Sequence, residues 1–521
     1  MKKICFLLIA ILFECNLLNA QTAGTLDTTF NNSTGSFTLD FGFHENISSV
    51  VIQPDQKIVG TATALASGSY LGTLKVIRLN SDGTPDNTFA NNGVFSFSVT
   101  AETYGVESAV RNDGKIVVAG LAAYTFGYYD ILLLRLNTDG TLDTTFGTNG
   151  YTIVSHSSRD DLAQSLALQP DGKIIIAGSI TDSIDFYHQP TILRFTENGM
   201  IDSTFGTNGY VQFPATYIDN ELNDLLIQPG GKIVAAGHYD VYGGGSSDFD
   251  VVMFRVDTNG IPDSTFGING RVITTINGGV DDVFGMEQDT AGNIVLCGFT
   301  TQPTLNFDLL VLKYTSDGVL IFTFGNNGST ILDYADLDVG MDLKIQPDNK
   351  IIIGGSSGLN FFGPRSMAVW RLMPDGTLDP MFGNNGIVLT ALSSTFQDIN
   401  SIDLQSDLKI VAGARANLGA NNDIAVVRYF NDALTPVQEI STDQINIYPN
   451  PASDYINFSL PNGIKEATVE LYNAMGNQVY SITGKPGKLD VHLPPGIYFV
   501  KVICSDSQLT RKLVITNQGG R

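Results

Sequence analysis

Carboxylates are the side chains through which this 521-residue chain could do chemistry: it has 53 Asp and Glu against 5 His and 4 Cys. Two carboxylates placed across a sugar ring can hydrolyse a glycoside, so acids at matched positions come first. Glu107, Asp224 and Asp342 share one position of a repeated strand, where the other copies carry Ser49, Ser165, Gly285 and Ser401. Aromatic residues gather where the copies disagree: Tyr124, Phe126, Tyr128 and Tyr129; Phe186 and Tyr187; Tyr239 and Tyr242; Phe361 and Phe362. Tyrosine offers flat apolar area with a polar tip, which suits sugar rings or a protein partner. The expected ligand-binding surface therefore comprises Tyr128, Tyr129, Tyr187 and Tyr242, with Glu107, Asp224 and Asp342 near its centre. The alternative is that these rings merely cover the fold. His44, His156, His188, His238 and His492 share no repeat position and no metal-ligand spacing. No GxSxG, HExxH or phosphate-cradling loop is present. No catalytic residue, metal or cofactor is therefore assigned.

The elements that would position these residues come from two interleaved repeats. Asn137–Gly150 (NTDGTLDTTFGTNG) recurs, its Phe146 matched by Phe30, Phe89, Phe205, Phe266, Phe324 and Phe382, at intervals of 57 to 61 residues. The second, QPDGK at Gln169–Lys173, ends at Lys57, Lys115, Lys173, Lys232, Asn293, Lys350 and Lys409. Within the copy at 151–210, strands are expected at Tyr151–Ser155, Gln164–Gln169, Lys173–Gly178 and Thr191–Thr196. Arg159–Leu162 reads as a polar connection, and Pro170-Asp171-Gly172 as a tight turn. Four short strands per copy and seven copies predict a seven-bladed β-propeller. An open solenoid would need polar end caps, which neither terminal copy supplies. Ser36–Phe41 has no blade before it and Asp423–Phe430 no motif after it, so the first can complete the last blade; its alternative place is blade one.

Each copy carries one cation in its last strand (Arg78, Arg135, Arg194, Arg255, Lys313, Arg371, Arg428) and one acid in its LDTTF motif (Asp27, Asp86, Asp143, Asp202, Asp263, Asp379). The copy with lysine has Ile321 in place of the acid. That joint departure predicts Arg–Asp pairs, because a planar guanidinium suits a carboxylate. Sevenfold repetition speaks for structure, and the Phe reads as a wedge between blades. Strand alternation places the QPDGK turns and TFG loops on one face, and the irregular, aromatic- and acid-bearing connections on the other. Variable loops are where repeat proteins bind.

The two ends differ from the array. Residues 1–20 (MKKICFLLIAILFECNLLNA) read as a secretory signal, with basic Lys2 and Lys3 before an apolar run too short to span a bilayer. No later segment predicts a transmembrane helix. Residues 21–431 form the array and 432–444 a polar linker. Residues 445–521 carry seven basic and five acidic residues in a chain of net charge −24. Their alternating strands, separated by PNP, MGN and PPG turns, predict a small Ig-like β-sandwich. The acidic surface argues against nucleic acid as a partner.

The array resembles the delta-60 repeat family of bacterial propellers and, more distantly, NHL-type repeats; the resemblance implies fold and an exported setting, and no single activity. The tail resembles the sorting domain of type IX secretion cargo of Bacteroidetes-type bacteria, through Tyr448-Pro449-Asn450-Pro451, Asp454, Gly476, Gly496-Ile497-Tyr498 and Lys512-Leu513-Val514. That implies the secretion machinery as partner and delivery to the outer surface or medium. The expectation is a monomeric, exported, all-β protein acting as a binding or adhesion module for a glycan or protein. The alternative is an extracellular glycoside hydrolase or lyase on the same propeller.

Overall fold

The computed structural model describes residues 22–516 apart from 67–70, 124–127, 157–158, 183–185, 215–219, 241–248, 277, 302–305, 360–362, 420, 433–445, 449, 454, 460–466, 474–477, 485–487, 491–492 and 505–506. One compact unit is Gln21–Ala433; a second contains Leu434–Arg521. Asp454, Gly476, Pro449 and Tyr242 lie outside the described residues.

In the first unit, seven antiparallel four-stranded sheets follow one another, two of them joined by a single parallel bridge at Phe307–Leu337. Their inner strands are Glu45–Ile52, Glu102–Val110, Asp161–Leu168, Asn220–Ile227, Asp281–Gln288, Leu337–Ile345 and Gln397–Leu404. Each inner strand packs against the next, and the last packs against the first, so the sheets close into a propeller. The second strand of each sheet is buried along most of its length, and Ile174–Thr181 throughout, because neighbouring sheets cover both its faces. Two details differ from the sequence reading. Asp161 already belongs to the inner strand, and Tyr151–Val154 pairs with Asp130–Leu136 as the outer strand of the preceding sheet.

That offset explains the seam. Ser36–Leu39 pairs with Asn422–Tyr429 and completes the sheet that ends the array, rather than belonging to the first. Closure hides two strand edges that would otherwise template aggregation.

The repeated motifs form a girdle between sheets. Six Arg–Asp pairs lie at 2.7–2.9 Å: Arg78–Asp86, Arg135–Asp143, Arg194–Asp202, Arg255–Asp263, Arg371–Asp379 and Arg428–Asp27. The last joins the two ends of the array. The QPDGK lysines reach the same carboxylates at 2.7–3.5 Å. Each Arg also donates Nη1–H to a carbonyl of the following copy, as in Arg135 to Glu197 (2.7 Å) and, across the seam, Arg428 to Ser81 (2.6 Å). Its guanidinium lies over the motif Phe, which is wholly buried, at 4.8 Å for Arg135 on Phe146. The Asp-Gly turn of the next copy closes over that ring. A Cβ on Gly140, whose φ is +80°, would sit 2.7 Å from Phe89. In the copy with Lys313, Ile321 and Asn293, the acid has moved to Asp289, 3.0 Å from Lys313.

The second unit has two sheets around one core. The smaller joins Asn446–Tyr448, Tyr455–Ser459 and Lys488–Asp490; the larger joins Gln478–Gly484, Ala467–Asn473, Gly496–Cys504 and Ser507–Ile515. Ile456, Leu471, Val500 and Leu513 fill the core. The motif residues meet across it: Asn450 donates to the Lys512 carbonyl (2.8 Å) and accepts from the Val514 amide (3.0 Å). Tyr498 donates to the Pro494 carbonyl (2.8 Å), while Tyr448 and Ile497 are exposed and Pro451 precedes the buried Ala452.

Candidate functional site

Every inner strand carries a β-bulge, at Ser48, Val106, Gln164, Asn223, Phe284, Met341 and Asn400. A bulge re-aims the residue after it. In six of the seven strands that residue lines a single axial channel of about 410 Å³: Ser49, Glu107, Ser165, Asp224, Asp342 and Ser401. Glu107, Asp224 and Asp342 are thus brought together, lining the channel wall. Each acid accepts a backbone N–H from the next sheet: Glu107 from Leu166 (2.5 Å), Asp224 from Met286 (2.6 Å) and Asp342 from Ile402 (2.8 Å). Two residues further along the strands, Glu287, Lys344 and Asp403 form a second tier on one side. The Lys344 ammonium is 3.2 Å from Asp342 and 3.9 Å from Glu287.

Five carboxylates share this channel with one ammonium, and the electrostatics follow. Burial pushes Glu107 up to about 7. Burial, then the charges of Glu107 and Asp342, hold Asp224 well above the usual carboxylate range. Burial also raises Glu287 and Asp403. Burial alone would lower Lys344, but Asp342, Glu287 and Asp403 outweigh it and keep the lysine cationic.

Of the tyrosines singled out, Tyr129 lies in a separate cavity of about 570 Å³ on the irregular face, lined also by His44, Asn46, Tyr104, Arg415 and Asn422. Tyr129 and Tyr104 meet edge to face at 5.7 Å, and both hydroxyls donate to Glu102 Oε2, at 2.8 and 3.1 Å. Tyr128 is exposed and belongs to another cluster, where the Arg159 guanidinium lies over its ring and over Phe186. Tyr187 is half-buried, and its carbonyl accepts the Asp182 amide. The four tyrosines therefore do not form one described surface.

Several acids of the short connections have a structural place. Asp161, Asp281 and Asp338 are buried and accept backbone N–H groups three to five residues earlier, which fixes the chain as it enters the inner strand. Asp398 is held between Arg365 and Arg415 (the latter at 2.5 Å). Tyr104, Asn46 and Arg415 were missed by sequence reasoning. The signal was there: six residues after the QPDGK lysine the copies read Thr63, Leu121, Ser179, His238, Phe299, Ser356 and Arg415. Arg415 lines the cavity; its Nη2 is held by Asp398, and its Nε is buried without a hydrogen-bond partner. An aromatic wall beside a spare guanidinium donor can stack a ring and bind an oxygen acceptor.

Two family models match the chain. A family model described as a domain of unknown function (DUF5122) β-propeller matches residues 53–89, 111–146, 169–205, 228–266 and 346–382. A secretion system C-terminal sorting domain matches residues 446–516. No curated protein matches. Among solved structures, Drosophila semaphorin 2a aligns over 96% of this chain and 100% of its own, at 9% identity and a TM-score of 0.46. An unknown-function protein from Dyadobacter fermentans aligns over 76% and 99%, at 11% identity and 0.40. A PL25 ulvan lyase aligns over 76% and 96%, at 10% identity and 0.45. No helix among the described residues is long and apolar enough to cross a membrane. The chain carries DUF5122-type β-propeller repeats followed by a type IX secretion sorting domain, which marks it for export to the cell surface or beyond.

Proposed function

We propose that the exported propeller is a binding module whose ligand sits on the irregular face, in the cavity walled by Tyr104 and Tyr129. The observation that carries this reading is the unpartnered Arg415 Nε beside that aromatic wall. The chemistry fits a saccharide ring, stacked on tyrosine and offering a hydroxyl or carboxylate oxygen to Arg415. Tyr128 and Tyr187 on the same face would extend the contact, and Glu107, Asp224 and Asp342 would form the polar floor beyond it. The machinery of type IX secretion would deliver a monomeric, cofactor-free chain after an N-terminal signal is removed. A glycan array probed with the purified chain tests the reading, with product analysis of each hit: retention of an unchanged glycan is expected. A second reading, an enzyme, is favoured by one observation, the Glu107 carboxyl raised to about 7 beside Asp224 and Asp342. Cleavage of a retained glycan, abolished by Glu107→Gln, would replace the first reading with the second. Export has its own test: removing 445–521 should strand a folded propeller in the periplasm, and normal surface delivery would refute the sorting role.

A further inference from the structure

The seam holds a second cluster, outside the channel and unused by the proposed function. Asp40 follows the closing strand Ser36–Leu39, Glu45 opens the first inner strand, and Asp423 lies in Asn422–Tyr429 of the last sheet. One carboxylate oxygen from each lies within 4.8 Å of the others. Each residue is anchored through one oxygen. Glu45 Oε1 accepts from Phe41 and Phe43 (both 3.2 Å), Asp40 Oδ1 from Gly42 (2.6 Å) and Asp423 Oδ2 from Leu418 (3.3 Å). Glu45 Oε2 is buried, without a hydrogen-bond partner among the described residues, in a residue that is 1% exposed.

No ion pair neutralises the trio among the described residues. The girdle carboxylates each take an arginine and a lysine; these three take none. Lys75, whose charge reaches Glu45, forms no ion pair with it; it lies over the Phe41 ring at 4.6 Å and donates to Ser96 Oγ at 3.0 Å. His44 Nδ1 is engaged by the Asn422 amide. Burying a carboxylate without an ion-pair partner is costly unless something else neutralises it. The equivalent junction between the fifth and sixth sheets carries Asp308, Asp333 and Asp338, but there Asn306 Nδ2 occupies Asp333 Oδ1 at 3.1 Å. Only at the seam do three described acids converge closely enough to share one ion.

We infer that Asp40, Glu45 and Asp423 form a calcium site that clamps the closing segment to the first and last sheets. Three carboxylates and no nitrogen or sulfur donor make a hard-oxygen set, which suits Ca²⁺. The ligands come from two stretches distant in sequence, residues 40–45 and Asp423, so the ion would cross-link the point where the ring closes. An exported protein meets calcium at concentrations where a site of this size is filled, roughly 10⁻⁴–10⁻³ M.

Isothermal titration of CaCl₂ into the metal-stripped full chain, paired with thermal unfolding in CaCl₂ and in chelator, tests this. One Ca²⁺ per chain and a higher unfolding temperature with calcium are expected. Asp40→Asn, at an exposed position that leaves the fold intact, should weaken binding about tenfold or more. Asp423→Asn should abolish the calcium-dependent shift. Absence of binding to the parent chain, or the same affinity in Asp40→Asn, would overturn the site.

Discussion

The girdle and the axial channel both bury carboxylates, and they do so in opposite ways. In the girdle each Asp meets an Arg and a Lys, and in five of the six copies its own Thr two residues on. For Asp143, burial alone would raise the carboxyl, but Lys115, Thr145 and Arg135 outweigh it and hold it far below the ordinary value; Asp202 is held at about 2. In the channel five acids share Lys344 and a few backbone N–H groups, and burial wins at Glu107, Asp224, Glu287 and Asp403. The first arrangement recurs around the ring and builds it. The second varies around the ring, and Glu107, Asp224, Glu287 and Asp403 resist ionisation, which is what a site tolerates and a scaffold avoids.

Removing the closure should break the comparison most severely. Deleting residues 25–41 takes away the closing strand, Asp27 and Phe30, and leaves Arg428 buried without its carboxylate. Loss of cooperative unfolding, or aggregation, is expected in thermal melts followed by circular dichroism; a melt like that of the full chain would mean the ring does not depend on this strand. Breaking one girdle pair comes next. Arg194→Ala should cost about 3–5 kcal/mol in denaturant unfolding, because it strands Asp202 without its guanidinium. A cost below about 1 kcal/mol would reduce the pair to a surface salt bridge.

A smaller effect separates the two regions by pH. Glu107 ionises near 7 when folded against an ordinary 4.5, so the folded state keeps its proton longer than the unfolded chain. Its stability contribution is complete below pH 4.5 and declines as pH rises toward 7. The girdle acids have the reverse sign: their contribution is present above the ordinary 3.8 and is lost as pH falls toward their lower folded values. Glu107→Gln keeps an oxygen for the Leu166 amide and should gain about 2 kcal/mol over the parent at pH 8, with little change at pH 4. An equal effect at both pH values would show that the carboxyl is not held in its neutral form. Tyr128→Ala should have the smallest effect, within about 0.5 kcal/mol of the parent in the same unfolding assay, since the ring is exposed.

Girdle and closure were legible in the sequence because they repeat. Arg, Asp and Phe recur at fixed spacing, and the one copy that breaks the pattern breaks it twice, at Lys313 and Ile321. The compensating Asp289 was not legible, since it replaces a Gln of QPDGK and meets Lys313 only through the fold. The channel acids were found by comparing copies, whereas the bulge that turns them inward has no composition of its own. The Tyr104–Tyr129 cavity was half seen: Tyr129 stood in an irregular segment, but Tyr104 and Arg415 lie in regular strands, and only the curvature of the ring brings the first, second and last sheets together around them. The burial of the acids at the strand entrances was not legible, because their backbone partners carry no sequence signature.

The central claim is that the girdle builds the ring while the irregular face binds. Its most direct test is a glycan array probed with the full chain, with a Tyr104→Ala/Tyr129→Ala/Arg415→Ala variant, and with an Ile268→Ser/Met381→Ser variant of the exposed apolar residues on the turn face. Loss of every glycan signal in the first variant, with the second indistinguishable from the parent, is the predicted result. Signals that survive in the first variant and vanish in the second would place binding on the turn face and contradict the account.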